Sequence, residues 1–143
     1  MWDVGCGMWK QPECGYKKYW SIKMRYDELV VWQKSMALVI NIYKITSKFP
    51  VNEKFCLINQ IRRASISIPS NIAEGHGRKL TKVFINHISI AAGSLMELET
   101  QLNIALRLNY INKEEWDVFL KKSYEIGSML NALRNSLKRK ICQ

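Results

Sequence analysis

The sequence predicts an all-α fold, an antiparallel up-down-up-down four-helix bundle whose second helix carries a proline kink. Three observations carry that prediction. Apolar residues recur at steps of three and four in four long segments, the spacing that keeps one face of an α-helix in a core. The breaks between segments are short and marked by Pro50, by Gly75 and Gly77, and by Asn109, residue types that end helices. Only three prolines and seven glycines occur in 143 residues, of which 48% are hydrophobic; such a chain is long enough to close one core and is not dominated by loops. No segment has the alternating pattern of a strand and no repeat of fixed period is present. Four amphipathic helices with short connections pack most simply as sequence neighbours of alternating direction.

The first helix is expected over about residues 27–49, entered at Tyr26 or Asp27 and stopped by Pro50. Leu29, Trp32, Met36, Val39 and Tyr43 form its apolar stripe. The second is expected over 53–74, with Leu57, Ile61, Ala64, Ile68 and Ile72 on one face. Pro69 lacks an N–H and its ring crowds the carbonyl four residues earlier, so it should kink or break this helix. Ser65, Ser67 and Ser70 stand close enough to bond the backbone groups set free. Gly75 and Gly77 are expected to supply the positive φ of a helix C-cap, and Cys56 to be a small buried thiol.

The third helix has the most regular pattern. Thr81 suits its N-cap; Phe84, Ile88, Ala91, Leu95, Leu98, Leu102 and Ala105 alternate steps of four and three; Asn109 suits its end. The fourth opens at Asn112 with Glu115 three positions on, the pattern of a capping box. Trp116, Phe119, Ile126, Leu130, Leu133 and Leu137 give its apolar face, and Lys138, Arg139 and Lys140 complement the negative end of its dipole. Val31, Ile42 and Ile45 on the first helix, with Ile85, Ile104 and Leu106 on the third, lie outside these stripes. A bundle core needs only about three positions in seven, so the surplus points to a second buried surface and a homo-oligomer.

The bundle domain is thus expected over residues 26–140. Residues 1–25 mix tryptophans and glycines with no period, and read either as a flexible arm or as leader sequence ahead of a true start at Met24; the abrupt change of composition favours the second. No stretch approaches the ~20 apolar residues that span a bilayer, and no basic region followed by an apolar block opens the chain. A cytoplasmic protein with no membrane partner is the expectation.

A formal net charge of +10 points to an anionic partner, and its distribution says where. Arg62, Arg63, Arg78, Lys79 and Lys82 stand against Glu74; Lys121, Lys122, Arg134, Lys138, Arg139 and Lys140 stand against Glu125. Residues 83–120 instead carry more acidic than basic groups. Basic clusters suit polyphosphates, whose neutralisation releases counterions. Arg78, Lys79 and Lys82 border the start of the third helix, where backbone N–H groups also favour anions; Lys121, Lys122, Arg134, Lys138 and Arg139 form a second candidate set. Arg62 and Arg63 project about 100° apart, so one can pair within or between bundles while the other reaches outward. Aromatics do not interleave with these clusters, so contact would be to backbone phosphates with little base preference.

Catalysis is disfavoured. No nucleophile elbow, phosphate-binding loop, dinucleotide fingerprint or His-Glu-x-x-His motif occurs. Gly75-His76-Gly77 lacks the Lys-Ser/Thr of a phosphate-binding loop. Glu97 and Glu99 are two apart and share no helix face; Glu97 is expected to pair with Arg62 or Arg63, and His87 to face solvent or bond locally. Cys6, Cys14, Cys56 and Cys142 form no Cys-x-x-Cys pair, and neither histidine has a metal-ligand spacing with them. No metal, cofactor or disulfide framework is expected.

The run from Gln60 to Ala64, Gln-Ile-Arg-Arg-Ala, and the run from Asn71 to Gly75, Asn-Ile-Ala-Glu-Gly, followed by Gly77 and Arg78, resemble a family signature. Val31 to Ala37 and Ala92 to Leu102 fit it in order, so the likeness covers about residues 26–137. The family is the four-helix-bundle proteins encoded in intervening sequences of bacterial 23S rRNA genes, often labelled S23 ribosomal protein. The sequence is also similar to the accessory variability protein of diversity-generating retroelements. The resemblance implies a ring-like homopentamer, an RNA context and a reverse transcriptase as partner. Together these readings give a non-enzymatic oligomeric bundle that binds RNA or another nucleic acid. The alternative is a protein–protein scaffold that recognises an acidic partner such as a reverse transcriptase.

Overall fold

The computed structural model describes residues 24–141. The expectations for residues 1–25, apart from Met24 and Arg25, concern residues outside that range, as do Cys6, Cys14 and Cys142. A 3-10 turn at Tyr26–Glu28 leads into α1 (Val30–Thr46), and a second at Val51–Glu53 into α2 (Leu57–Gly77); α3 (Thr81–Arg107) and α4 (Lys113–Ile141) follow. Among the described residues there is no strand. α1 packs on α2, α2 on α3, α3 on α4 and α4 on α1, whereas α2 and α4 do not meet. The bundle therefore closes as a ring of neighbours with alternating direction, the all-α up-down-up-down arrangement the periodicity predicts. The α2–α3 pair packs most extensively and α1–α4 least.

α1 is shorter than its pattern and turned from the expected stripe. Leu29 stands at its entrance, and Gln33 donates to the Asp27 carbonyl at 2.9 Å to hold the preceding turn. The helix stops at Thr46, because a residue before proline is driven out of the α region; Phe49 closes a tight turn by donating to the Thr46 carbonyl. The buried face is Val31, Ser35, Leu38, Val39, Ile42, Ile45 and Thr46, while Met36 and Tyr43 are exposed. Val31, Ile42 and Ile45, expected as surplus, are core. The reason lies in the sequence: α1 is apolar on more than one face, so two overlapping stripes satisfy the same spacing.

Helix α2 runs unbroken from Leu57 to Gly77 with Pro69 buried inside it. Its core face is Ile58, Ile61, Ala64, Ser65, Ile68, Pro69, Ile72 and Gly75, one position from the expected stripe only at its start. The serines do not serve the carbonyl that Pro69 leaves without a donor. Ser65 donates to the Arg62 carbonyl at 2.7 Å, and Ser67 reaches across to Ser94 on α3 at 2.8 Å. Cys56 is exposed, because it stands at the α2 N-cap outside the apolar stripe.

The α2–α3 seam holds a directed hydrogen-bond chain. Ser94 donates to the Ile90 carbonyl at 3.1 Å, so its single hydroxyl proton is used and Ser67 donates to Ser94. Asn71 Nδ2 donates to the Ser67 carbonyl and hydroxyl at 2.8 and 3.1 Å. Its Oδ1 then faces His87 Nδ1 at 2.9 Å, which makes Nδ1 the protonated ring nitrogen. His87, expected at solvent or in a local bond, thus ties two helices together.

One turn on, Gly75 fits against α3. A Cβ there would lie 2.6 Å from the His87 Cβ and 2.8 Å from Phe84. Neither Gly75 nor Gly77 has the positive φ expected of a cap. Arg78 ends the helix, and Lys79 alone takes the left-handed conformation in that turn, at φ 60°. Gly75 is there for close approach, not for termination.

Both later helices follow their sequence pattern. All seven residues of the expected α3 seam are buried, with Ser94. Leu80 replaces Thr81 at the N-cap, and Thr81 is the first helical residue. At the other end Asn109 has φ 59°; its N–H bonds the Leu106 carbonyl while Tyr110 N–H bonds Ala105, a Schellman termination. α4 opens with the reciprocal capping box: Glu115 N–H to Asn112 Oδ1 at 2.8 Å, and Asn112 N–H to Glu115 Oε2 at 3.1 Å. Its core residues are Trp116, Phe119, Ser123, Ile126, Leu130 and Leu137, with Leu133 half-buried.

The two α2 glycines make a controlled comparison. Gly75→Ala gains helix propensity but must separate α2 from α3, and should lower unfolding free energy by about 1–3 kcal/mol, the usual cost of overpacking. Gly77→Ala meets nothing within 4 Å and should raise it by up to about 1 kcal/mol. Urea unfolding followed by circular dichroism distinguishes the two signs.

Candidate nucleic-acid interface

Cross-bundle pairs fix which residues share a height. Ser67 lies level with Ser94 and Asn71 with His87; Glu99 accepts from Ser123 at 3.2 Å, and Gly127 faces Leu95. Lys34 pairs with Glu125 at 2.8 Å and Lys48 with Glu115 at 3.4 Å. One end of the bundle therefore holds the start of α1, the α2–α3 turn and the close of α4.

That end gathers two clusters more than fifty residues apart in sequence. Arg78, Lys79 and Lys82 come from the α2–α3 turn, Lys138, Arg139 and Lys140 from the last turns of α4; all six are exposed. Arg78 donates to Glu74 at 2.8 Å, a surface pair of i,i+4 spacing. The bond from Arg78 is the chief reason the Glu74 carboxyl sits below its ordinary range, with the charges of His87 and Arg78 adding to it. The left-handed Lys79 and extended Leu80 turn the chain within three residues, and no side chain caps α3. The first N–H groups of α3 therefore open into the basic cluster. Arg25, at the same end, chelates Asp27 at 3.1 to 3.3 Å, which holds that carboxyl low.

The remaining candidates lie elsewhere. Arg62 is half-buried: its guanidinium stacks 4.4 Å from the Tyr43 ring centre and Nε donates to Thr46 at 2.9 Å. It does not meet Glu97, which accepts instead from Gln101 at 3.0 Å. Arg63 is exposed a third of the way along α2 and makes no ion pair among the described residues. Lys121 and Lys122 sit a third of the way along α4, level with the lower part of α3. Arg134 lines a groove of about 810 Å³ between α3 and α4, with Nη2 on Asn131 at 2.6 Å and a buried Nε–H that has no acceptor.

The groove escaped the sequence reading. Ile88, Ala92, Leu95, Met96 and Leu120 give it apolar walls, and Glu99 and Arg134 mark its two ends. Its signal was the small residues Ala92 on α3 and Gly127 and Ser128 on α4, which leave room between the helices. Among the described residues, no three His, Cys, Asp or Glu side chains group as metal ligands. No described helix is long and apolar enough to cross a membrane.

The family model for the 23S rRNA-intervening sequence protein matches residues 27–132. The chain belongs to that family. A solved structure from the S23 ribosomal protein family, a Bacteroides thetaiotaomicron protein of unknown function, is similar at 32% identity and a TM-score of 0.68. The likeness covers 78% of this chain and 99% of that one. No curated protein matches. The family-model match spans α1 to α3 and most of α4, including the α2–α3 turn that carries Arg78, Lys79 and Lys82.

The Glu74–Arg78 pair gives a test by titration. A carboxyl held low in the folded state contributes stability at neutral pH, and that contribution fades as pH falls through the folded value. In Arg78→Gln the Glu74 carboxyl should titrate higher, toward the ordinary glutamate value of about 4.3. Carbon-detected NMR of the side-chain carboxyl reads the shift; an unchanged value would remove Arg78 as its cause.

Proposed function

We propose that this chain is a non-enzymatic, oligomeric helical bundle that binds structured RNA or another nucleic acid through the basic end described above. The observation that carries the reading is topological: the alternating helices bring Arg78, Lys79 and Lys82 to the same end as Lys138, Arg139 and Lys140. Six exposed cations beside an uncapped helix N-terminus favour phosphate oxygens by charge and by N–H donation. The family's association with 23S rRNA intervening sequences supports RNA as the polyanion. Arg62 serves α1–α2 packing in this reading, and Lys121, Lys122 and Arg63 are peripheral to the contact.

Contact is with the phosphate backbone and has little base preference, since stacking aromatics are absent from the cluster among the described residues. Self-association belongs to the same proposal. Met36, Ile40 and Tyr43 follow one another along an exposed stripe of α1, and Ile90, Met96 and Ile104 are exposed on α3. Such apolar area suits a homo-oligomer, and the family resemblance supports a pentameric ring. A reverse transcriptase is the protein partner that the retroelement resemblance supports.

Filter binding to total RNA and to duplex DNA over a salt series tests the reading. Micromolar binding should weaken steeply with salt, the logarithmic slope being about 0.9 per phosphate neutralised on duplex DNA. Arg78→Glu, Lys79→Glu and Lys82→Glu together should weaken binding at least about tenfold and flatten that slope; Lys121→Gln with Lys122→Gln should change either little. No binding at low salt would overturn the nucleic-acid reading.

A further inference from the structure

Tyr43, Phe55 and Tyr124 are the exposed aromatic residues among those described. Two of them have an ordinary account. Arg62 covers a face of the Tyr43 ring at 4.4 Å, and Tyr124 carries a hydroxyl that water satisfies. Phe55 has no polar side-chain atom, yet it is 83% exposed, and Val51 on the same turn is 86% exposed. Burial of such a ring is favourable, and Phe49, on the other side of Pro50, is buried against Tyr110 with ring centres 5.4 Å apart.

The turn that carries Phe55 is fixed in place. Glu53 N–H bonds the Pro50 carbonyl at 3.0 Å, Lys54 N–H the Val51 carbonyl at 3.1 Å and Cys56 N–H the Glu53 carbonyl at 3.1 Å. The Glu53 side chain then ties the turn to the bundle. Its Oε1 accepts from the Tyr110 hydroxyl at 3.0 Å and its Oε2 from the Leu57 N–H at 3.4 Å. A side chain presented on a fixed backbone gives up less entropy when a ligand covers it.

The surroundings of the ring are cationic. Residues 44–56 carry Lys44, Lys48 and Lys54 against Glu53 alone, and both Glu53 oxygens are engaged. All three lysines are exposed, and Lys54 Nζ stands 5.7 Å from the Phe55 ring centre. On the neighbouring start of α4, Glu115 is turned to Lys48 and to the Asn112 N–H, and Asp117 to Lys113; Glu114 is exposed. Protein–protein interface cores are depleted of lysine. An aromatic face for a base, with lysines beside it for the flanking phosphates, is instead the way single strands are held with little regard to sequence.

We infer that Phe55 is a stacking platform for an unpaired base of single-stranded RNA, with Lys54 and Lys48 on the adjoining phosphates. The α1–α2 turn lies at the opposite end of the bundle from Arg78, Lys79 and Lys82. Helix α3, 27 residues long, puts about 40 Å between the two ends. The inference rests on the nucleic-acid reading above and adds a second site to it. Unpaired bases are taken at this end and the phosphate backbone at the other.

Fluorescence titration of the full chain with a short single-stranded RNA carrying 2-aminopurine tests the site, because stacking quenches that base. Wild type should quench it, and Phe55→Ala should abolish the quenching and weaken binding of the strand about tenfold. Phe55→Trp should retain both. Phe55→Leu, which keeps apolar area but has no aromatic face, should behave as Phe55→Ala. An abasic strand of the same charge should not distinguish wild type from Phe55→Ala, and neither should duplex RNA, which the opposite end takes. Phe55 lies outside the core, so none of these changes should move the circular-dichroism melt. Wild-type behaviour of Phe55→Ala would overturn the platform. Wild-type behaviour of Phe55→Leu would make the ring an apolar contact, such as a protein would use, and would overturn base stacking. Duplex binding without single-strand binding would overturn this inference alone; no binding of any nucleic acid would overturn it together with the proposed function.

Discussion

The contact between α2 and α3 at Gly75 constrains the rest of this bundle. With less than 3 Å between the missing Cβ and His87 or Phe84, the two helices meet nearly backbone to side-chain root. That distance brings Asn71 within reach of His87 and Ser67 within reach of Ser94. It also fixes the short turn that follows, where Lys79 must adopt a left-handed conformation to reverse the chain. The basic turn is thus positioned by a steric condition several residues before it. Pro69 is compatible with this arrangement because dense packing on α3 holds the helix through the missing hydrogen bond.

Function on this reading depends on charge brought together by topology. Each basic cluster alone is an ordinary solvated segment. The antiparallel order of α2, α3 and α4 superposes them at one end, and the acid-rich stretch of α3 and early α4 falls away from it. A field of one sign at one end steers a polyanion toward a defined part of the surface. The flanks, with their exposed apolar residues, stand apart from that field.

Much of the fold was legible in the sequence, most fully where a single physical signal acted alone. α3 has one apolar stripe, and all seven of its seam residues are buried. The Asn112–Glu115 box is a local pattern and forms as written. α1 misled because it is apolar on several faces, and only its neighbours decide which face is inward. Gly75 misled because a glycine near a helix end reads as a cap, while close approach to another helix leaves no trace in local sequence. The basic clusters were visible as composition; that five of the ten candidate residues share one end, and that Arg62 is spent on Tyr43 and Thr46, required the register of the helices. The groove was invisible because it is a property of two helices and the small residues between them.

The serine–asparagine–histidine chain has a consequence for which bundle forms at all. Apolar seams are permissive: four greasy stripes close equally well as either mirror arrangement of the helices, or with one helix slid by a turn. A file of donors and acceptors is not permissive, because each proton in it has one destination, from the His87 ring through Asn71, Ser67 and Ser94 to the Ile90 carbonyl. Slide α2 against α3, or exchange the handedness of closure, and four polar groups are left in a half-buried seam without those partners. The core makes the helices condense; this short polar sentence tells them which of several condensed states is correct.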